Sequence, residues 1–302
     1  MRLSILDDGH RLRARLFLSL TARMSHVDAS DVPKTLLYRP EFLGRALLEL
    51  SAHGMRGPSY WTAGEREFIA MNTARWHECP YCATSHTELV RIASTGEIDP
   101  DPASARPEVT AVVVLLEKVS RTPELVTPQD VDAVRLAGVA DSAILEALHV
   151  NLIWNVVNRL ANAFDFQLRE GQLEAGTRAL HKYGYRFPGF LTSGGPRPRL
   201  PETTDRHARM VADLRWSVLD SPARTDPAIR HAAATGDPLP EPWKSYAATV
   251  RQKSYAVTDA DVAALKAAGH TEDEIFEITV AAAVGAALRS LDAGVAALHA
   301  KA

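Results

Sequence analysis

An internal repeat constrains the fold more than any other feature of this sequence. Residues 126–146 align without a gap with residues 257–277, at an offset of 131, and nine of the 21 positions are identical. Units with a cap, a helix and a glycine resemble one another to some extent by chance, but nine matches favour a true duplication. In each copy a threonine N-cap precedes a short helix, a glycine ends that helix, and a long apolar helix follows. The threonine and the glycine are Thr127 and Gly138 in the first copy, and Thr258 and Gly269 in the second.

Helical patterns extend through nearly the whole chain, and no segment shows the sustained alternation of a strand. Thr62 and Glu65 have the form of a capping box that opens a helix through Glu78. Asp141 is expected to cap a long apolar helix that runs from about Ser142 to Phe164. We therefore predict an all-α fold that consists of two tandem copies of one helical unit.

The predicted division places the first helical domain at residues 1–185 and a degenerate second copy at 202–302. Between them, residues 186–201 are rich in proline and glycine, which is typical of a linker. At the offset of 131, Cys79 corresponds to Met210 and Cys82 to Asp213. The second half contains no cysteine, so we expect thiol chemistry in the first copy only.

The composition excludes several classes of protein. The chain has 302 residues, 46% of them hydrophobic, which excludes a disordered chain. Because 34 basic residues face 37 acidic ones, binding to nucleic acid through bulk charge is not expected. We find no run of about 18 apolar residues and no signal peptide, so we expect a cytoplasmic protein without a membrane partner.

The only two cysteines form one CxxC motif, Cys79-Pro80-Tyr81-Cys82. A proline suits the first position of a helix, so Cys79 is expected at the N-cap, as the more accessible of the two sulfurs, and Cys82 in the first turn. The Cys82 thiol would then lie among unpaired backbone N–H groups, where its pKa is expected to fall. In a reducing compartment such a pair is redox-active or binds metal more often than it forms a structural disulfide.

Two further side chains complete a candidate site. His86 lies four residues after Cys82, on the same helix face, and it could take the thiol proton. Glu67 lies on the preceding helix and would orient His86 if the two helices form an antiparallel hairpin. Zinc is the alternative, with His77 as a possible fourth ligand, but structural zinc sites commonly use two such pairs and no second pair exists. We therefore expect no metal and no cofactor.

Glu67, Cys79, Cys82 and His86 together have the spacing Glu-x11-Cys-x2-Cys-x3-His. This pattern resembles the signature of the alkylhydroperoxidase D-like (AhpD-like) branch of the carboxymuconolactone decarboxylase family, over about residues 40–165. The resemblance implies an AhpD-like helical bundle, a homo-oligomer and the reduction of hydroperoxides by the thiol pair. It makes Cys82 the attacking thiol, Cys79 the resolving thiol, and His86 with Glu67 the proton relay. An external thiol or dithiol protein would then reduce the disulfide.

The family's best-known peroxidases have a histidine at the position of Tyr81, so this sequence departs from their pattern between the two cysteines. Two alternatives therefore remain open. One is a lyase acting on a small lactone acid, with His86 and Glu67 as acid and base and no role for the cysteines. The other is a binding protein switched by the disulfide.

A polar stripe follows one face of the long helix, formed by Asn151, Asn155, Asn158 and Asn162. Four buried amides must be hydrogen-bonded, either in a pocket or at an interface. We favour an oligomer or interdomain interface. If the stripe instead lines the site, Tyr81, Asn155 and Arg159 are candidate pocket residues, with Arg159 as a possible partner for an anionic group or as part of a plain salt bridge.

Overall fold

The all-α prediction is confirmed by the computed structural model, which describes residues 1–100, 103–199 and 205–300. Among these residues the only strands are Asp99–Pro100 and Ala103–Ser104, which pair antiparallel. The α-helices are α1 (Ile5–Asp8), α2 (Leu12–Ser25), α3 (Asp31–Tyr38), α4 (Arg45–Arg56), α5 (Ala63–Trp76), α6 (Pro80–Ala93), α7 (Pro107–Arg121), α8 (Pro128–Leu136), α9 (Asp141–Ala163), α10 (Gln172–Tyr183), α11 (Gly189–Thr192), α12 (Arg206–Leu219), α13 (Pro227–Thr235), α14 (Trp243–Lys253), α15 (Asp259–Ala267) and α16 (Glu272–His299).

Contacts between residues group the chain into two compact units, each built from three segments. Unit I comprises Met1–Leu50, Arg159–Gly176 and Arg186–Ala286. Unit II comprises Ser51–Asn158, Thr177–Tyr185 and Ala287–Ala302. The tandem domains proposed from the sequence stay a prediction. The proposed linker contains the short helix α11, and its last two residues, 200 and 201, lie outside the described part of the chain.

The two sequence repeats adopt the same local structure. Thr127 and Thr258 each form a capping box, with Asp130 and Asp261 as the respective partners. The short helices α8 and α15 follow, and each has nine residues. Both are followed by a glycine in the left-handed region, Gly138 at φ 91° and Gly269 at φ 92°, and then by a long helix. The caps and stops predicted from the repeat are therefore confirmed.

The order of helices extends this likeness upstream. A 3₁₀ turn precedes both short helices, at Pro123–Leu125 and Ser254–Ala256. Before that turn come α5, α6 and α7 in the first half and α12, α13 and α14 in the second. By this order α13 is the counterpart of α6, and Pro227 corresponds to Pro80. The ungapped pairing of Cys79 with Met210 is therefore wrong, because Met210 lies one helix too early, in α12.

The helical hairpin α5–α6 is the element that positions the candidate site. Its tight turn places Glu78 at φ 50°, and the Cys79 amide donates to the Ala74 carbonyl at 3.0 Å. Gly64 lets the start of α5 approach the end of α6, because a Cβ there would lie 2.9 Å from the Cα of Ser94. Nearly all of α5 is buried, so the side chains that face α6 are shielded from water.

Among the described residues, one helix, α16, is by its length and composition long and apolar enough to cross a membrane. Its most apolar stretch is 72% buried within the protein, as in the core helix of a soluble protein. The bent pair α8 and α9 passes the same test only if the two helices are taken as one span.

Gly138 and Gly176 provide a matched test of the helix stops. Neither has an atom within 4 Å of the position of an added Cβ, but Gly138 has φ 91° whereas Gly176 lies inside α10. We expect Gly138→Ala to lower the free energy of unfolding by about 1 kcal/mol, because alanine is strained in the left-handed region. Gly176→Ala should raise it by about 0.5–1 kcal/mol. Urea unfolding monitored by circular dichroism measures both, and equal effects would contradict the assignment.

Candidate functional site

The carboxylate of Glu67 lies at the centre of the candidate site, within unit II. Its side chain is 0% exposed, because α5 is covered on nearly all sides. Three donors reach it: Nη2 of Arg56 at 2.5 Å from Oε1, the hydroxyl of Tyr185 at 2.8 and 3.0 Å from Oε1 and Oε2, and Nδ1 of His86 at 2.8 Å from Oε2. A buried carboxylate needs such partners to remain ionised.

The charge of Glu67 follows from the balance of these effects. Burial alone would raise its pKa, but the hydrogen bond with His86 and the positive charge of Arg56 outweigh burial and hold the pKa below its ordinary value. Glu67 is therefore a carboxylate at neutral pH. The same charge raises the pKa of Tyr185, after burial as the larger cause, so that Tyr185 keeps its proton and donates it.

His86 is held by contacts on two sides. Its side chain is 2% exposed, and its ring lies edge-on to Trp154 of α9, with the centroids 3.9 Å apart. The Trp154 indole N–H is directed to the sulfur of Met55 at 3.2 Å. Because an ionised Glu67 only accepts hydrogen bonds, Nδ1 of His86 is the donor, and in the neutral ring Nε2 is the basic nitrogen. The predicted meeting of Glu67 and His86 across the hairpin is thus found in the structure.

The cysteines lie where the proline predicts them. Cys79 is the N-cap of α6, and its sulfur accepts the backbone N–H of Cys82 at 3.4 Å. The sulfur that receives an N–H at the helix start is therefore that of Cys79. His86 follows Cys82 by one helical turn, and helical side chains lean toward the N-terminus, so His86 extends toward the turn that carries the thiols.

Two expectations about the thiols are wrong. The pKa of Cys82 is raised well above its usual value, first by burial and then by its contact with Cys79. The loss of hydration destabilises the Cys82 thiolate more than the N–H groups at the helix start stabilise it. Cys79 was expected to be the more accessible sulfur, but Cys79 is 1% exposed and Cys82 is 2% exposed. Both are free thiols in a buried position.

The interface expected for the asparagine stripe is wrong for Asn151, whereas Asn162 does bond a residue of the proposed second domain, Ser254. In unit II, Asn151 donates to the hydroxyls of Thr73 on α5 and Ser120 on α7, at 3.2 and 2.8 Å. In unit I, Asn162 donates to Ser254 at 3.1 Å. Hydrogen bonds within each unit therefore satisfy the amides of Asn151 and Asn162. The spacing of asparagines along a helix does not reveal whether their partners lie in the same unit or across an interface.

The candidate pocket residues come from two helices, Tyr81 from α6 and both Asn155 and Arg159 from α9. Tyr81 is half-buried in the first turn of α6, and its carbonyl accepts from Ser85 at 2.9 Å. Asn155 is fully buried on α9, next to Trp154. Arg159 belongs to unit I, where its Nε donates to the carbonyl of Arg251 at 3.1 Å, and burial lowers its pKa to about 10. Their role as pocket residues stays a prediction.

The sequence did not indicate three important contacts of the site. Arg56 ends α4, and Tyr185 follows α10 by two residues, so neither shares a helical spacing with Glu67. Trp154 lies within the predicted apolar helix, and the apolar pattern does not distinguish it from its neighbours. One signal was present: a buried glutamate requires a cation, and Arg56 is eleven residues away in sequence.

Comparison with known proteins gives a distant structural likeness. No family model and no curated protein matches the chain. Among solved structures, the chain is similar to the alkylhydroperoxidase AhpD core of an uncharacterized peroxidase-related protein from Ralstonia eutropha JMP134. The TM-score is 0.48 at 22% identity, over 56% of this chain and 92% of that chain. A likeness this distant assigns no activity.

The charge of Glu67 predicts how stability depends on pH. Because its pKa is lowered on folding, the ionised carboxylate contributes stability above the unfolded value near 4.5, and this is lost as the pH falls through the lower folded value. We expect Glu67→Gln to lower the free energy of unfolding by about 3–5 kcal/mol at pH 7, because Arg56 loses its anion. The difference in the free energy of unfolding between this variant and the wild type, the gap, should narrow below pH 4.5.

Urea titrations from pH 3 to pH 8 measure this gap. Glu88→Gln is the matched control on α6, because its ion pair with Arg91 lies at the surface at 3.5 Å and should change stability by less than about 1 kcal/mol. A gap for Glu67→Gln that does not vary with pH would show that folding leaves the pKa of Glu67 unchanged, which would contradict its stabilisation by His86 and Arg56.

Proposed function

We propose that this protein is a thiol-dependent oxidoreductase that reduces hydroperoxides through Cys79 and Cys82. The observation that carries the proposal is the buried Glu67–His86 pair, bonded at 2.8 Å, one helical turn from Cys82. A thiol whose pKa is raised by burial needs a base at the moment of reaction. The basic Nε2 of His86 supplies one, and Glu67 stabilises the imidazolium that forms.

The proposed reaction has two steps on the protein. Cys82 attacks the peroxide oxygen, the O–O bond breaks, and His86 passes the thiol proton to the departing oxygen, so that an alcohol leaves and Cys82 becomes a sulfenic acid. The Cys79 thiol then attacks the sulfur of that sulfenic acid, and water leaves as the disulfide forms. An external dithiol reduces the disulfide by exchange and restores both thiols.

The pH dependence of the first step follows from the raised pKa of Cys82. In His86→Gln no base takes the thiol proton and only the scarce thiolate reacts, so in this variant the rate of thiol oxidation should increase with pH through the ordinary thiol range and above it. Stopped-flow oxidation by a small hydroperoxide should consume two thiols per chain and release one alcohol. A rate that levels off below pH 7 in His86→Gln would indicate a thiol of low pKa and would contradict this environment for Cys82.

The order of the two thiols is tested by single substitutions. Cys82→Ser should abolish peroxide consumption, whereas Cys79→Ser should still be oxidised once and leave a sulfenic acid that dimedone labels on Cys82. Ser85→Ala is the matched control on α6, because its hydroxyl only bonds the Tyr81 carbonyl, and it should react as the wild type does. Labelling on Cys79 in Cys82→Ser would reverse the proposed roles. Activity that survives both cysteine substitutions would favour a lyase.

The burial of both thiols also favours a second candidate, a binding protein switched by its disulfide. Side chains that are 1% and 2% exposed react slowly with large substrates, and a disulfide formed there would change the packing of the hairpin. This candidate predicts negligible turnover with a reductant present, together with a change in oligomer size on oxidation. Size-exclusion chromatography of the reduced and oxidised forms measures that change.

A further inference from the structure

Tyr185 occupies a backbone conformation that a bulky residue rarely adopts. Both Gly184 and Tyr185 have φ 63°, and only the glycine does so without strain. A left-handed tyrosine is strained, and such residues persist only where the surrounding structure holds them in place. The chain therefore turns sharply at Gly184 and Tyr185, and the Tyr185 side chain extends from this turn to Glu67.

The ring of Tyr185 is held on two sides. The guanidinium of Arg56 lies 5.1 Å from its centroid, and the Trp154 ring lies 5.8 Å away at a steep angle. Gly184 approaches the same arginine, because a Cβ there would lie 3.4 Å from its Cγ. Tyr185 is 5% exposed, so its hydroxyl has a fixed direction rather than a choice of water partners.

The hydrogen bonds of Tyr185 span both oxygens of Glu67. Its hydroxyl lies 2.8 Å from Oε1 and 3.0 Å from Oε2, between the oxygen that Arg56 binds and the oxygen that His86 binds. Arg56 alone would leave the carboxylate free to rotate about its terminal torsion, which is a soft one. A second donor from another segment restricts that rotation and keeps Oε2 at Nδ1 of His86.

We propose that Tyr185 is a positioning residue, which donates its O–H to both oxygens of Glu67 and limits the negative charge that this carboxylate presents to Nδ1 of His86, so that Nε2 remains the proton acceptor of the site. The inference rests on the proposed function for its catalytic meaning, but the state of His86 is measurable without turnover. Around the Glu67–His86 pair, α4 contributes Arg56, α6 contributes the two thiols, α9 contributes the uncharged Trp154, and the segment after α10 contributes Tyr185.

The sign of the effect follows from charge. The Tyr185 hydroxyl withdraws negative charge from Glu67 and so weakens the pull of Glu67 on the imidazolium. In Tyr185→Phe the carboxylate should bind the His86 proton more strongly, and the imidazolium should persist to higher pH. We expect the titration midpoint of His86 to rise by about half a pH unit or more, and the acidic limb of thiol oxidation to move with it.

The test is ¹⁵N NMR of the histidine ring nitrogens across pH 5–9, with His86 assigned by His86→Gln. The wild type should show a proton on Nδ1 and an acceptor at Nε2. Tyr183→Phe is the matched control, because Tyr183 is two residues away and 60% exposed, and it should leave the midpoint unchanged. An unchanged midpoint in folded Tyr185→Phe, with only a lower melting temperature, would reduce Tyr185 to a structural role and overturn the proposal.

A second measurement does not depend on the stability of Tyr185→Phe. Incorporation of 3-fluorotyrosine makes the phenol a stronger donor and changes its shape little, so the midpoint of His86 should fall rather than rise. A midpoint that stays in place or rises on fluorination would contradict the proposal. If no peroxide is consumed by any variant while His86 still shifts as stated, the proposed function fails and the role of Tyr185 stands.

Discussion

The buried carboxylate of Glu67 is the interaction on which the rest of the site depends. An ionised group without contact to water is tolerated only when its hydrogen bonds replace those of the solvent. Arg56, Tyr185 and His86 come from three different segments and converge on its two oxygens. The loss of one donor would leave a buried charge undercompensated. The ends of α4 and of the segment after α10 are therefore tied to the α5–α6 hairpin by electrostatics as well as by packing.

This arrangement also determines what the thiols can do. A charged Glu67 makes Nδ1 of His86 the donor and so leaves Nε2 as the base. The same apolar surroundings that strengthen these hydrogen bonds raise the pKa of Cys82, because they disfavour the thiolate. Cys82 is thus not permanently ionised, and it becomes reactive only as its proton is removed. Within the proposed function, His86 is required for this reason, and the helix start alone does not suffice.

The sequence predicts those parts of the site that local rules control. Pro80 predicts the N-cap at Cys79, and the spacing of Glu67 and His86 predicts their meeting once two adjacent helices form a hairpin. The direction of the Cys82 pKa was wrong because burial is a property of the tertiary structure, and it exceeds the effect of the helix start. No pattern in the sequence indicates Tyr185, because its hydrogen bond with Glu67 joins residues 118 positions apart and no repeat relates them.

The second half of the chain shows what the first half must preserve to keep the site. Counted from Pro227 as the equivalent of Pro80, an aspartate cap, Asp226, stands in the place of Cys79, and Ala233 stands in the place of His86. On the long helix, Gly285 lies 131 residues after Trp154, at the equivalent position.

A Cβ on Gly285 would lie 2.4 Å from the Cα of Ala234, so α13 and α16 approach each other backbone to backbone. In the first half, the Trp154 and His86 rings stand between the corresponding helices α9 and α6, with their centroids 3.9 Å apart. In the second half, the contact of Gly285 with Ala234 therefore brings the two helices together where rings lie between them in the first half. Ala233 is itself fully buried, so a histidine placed there would have to displace its neighbours, and the missing side chain alone does not account for the loss of the site.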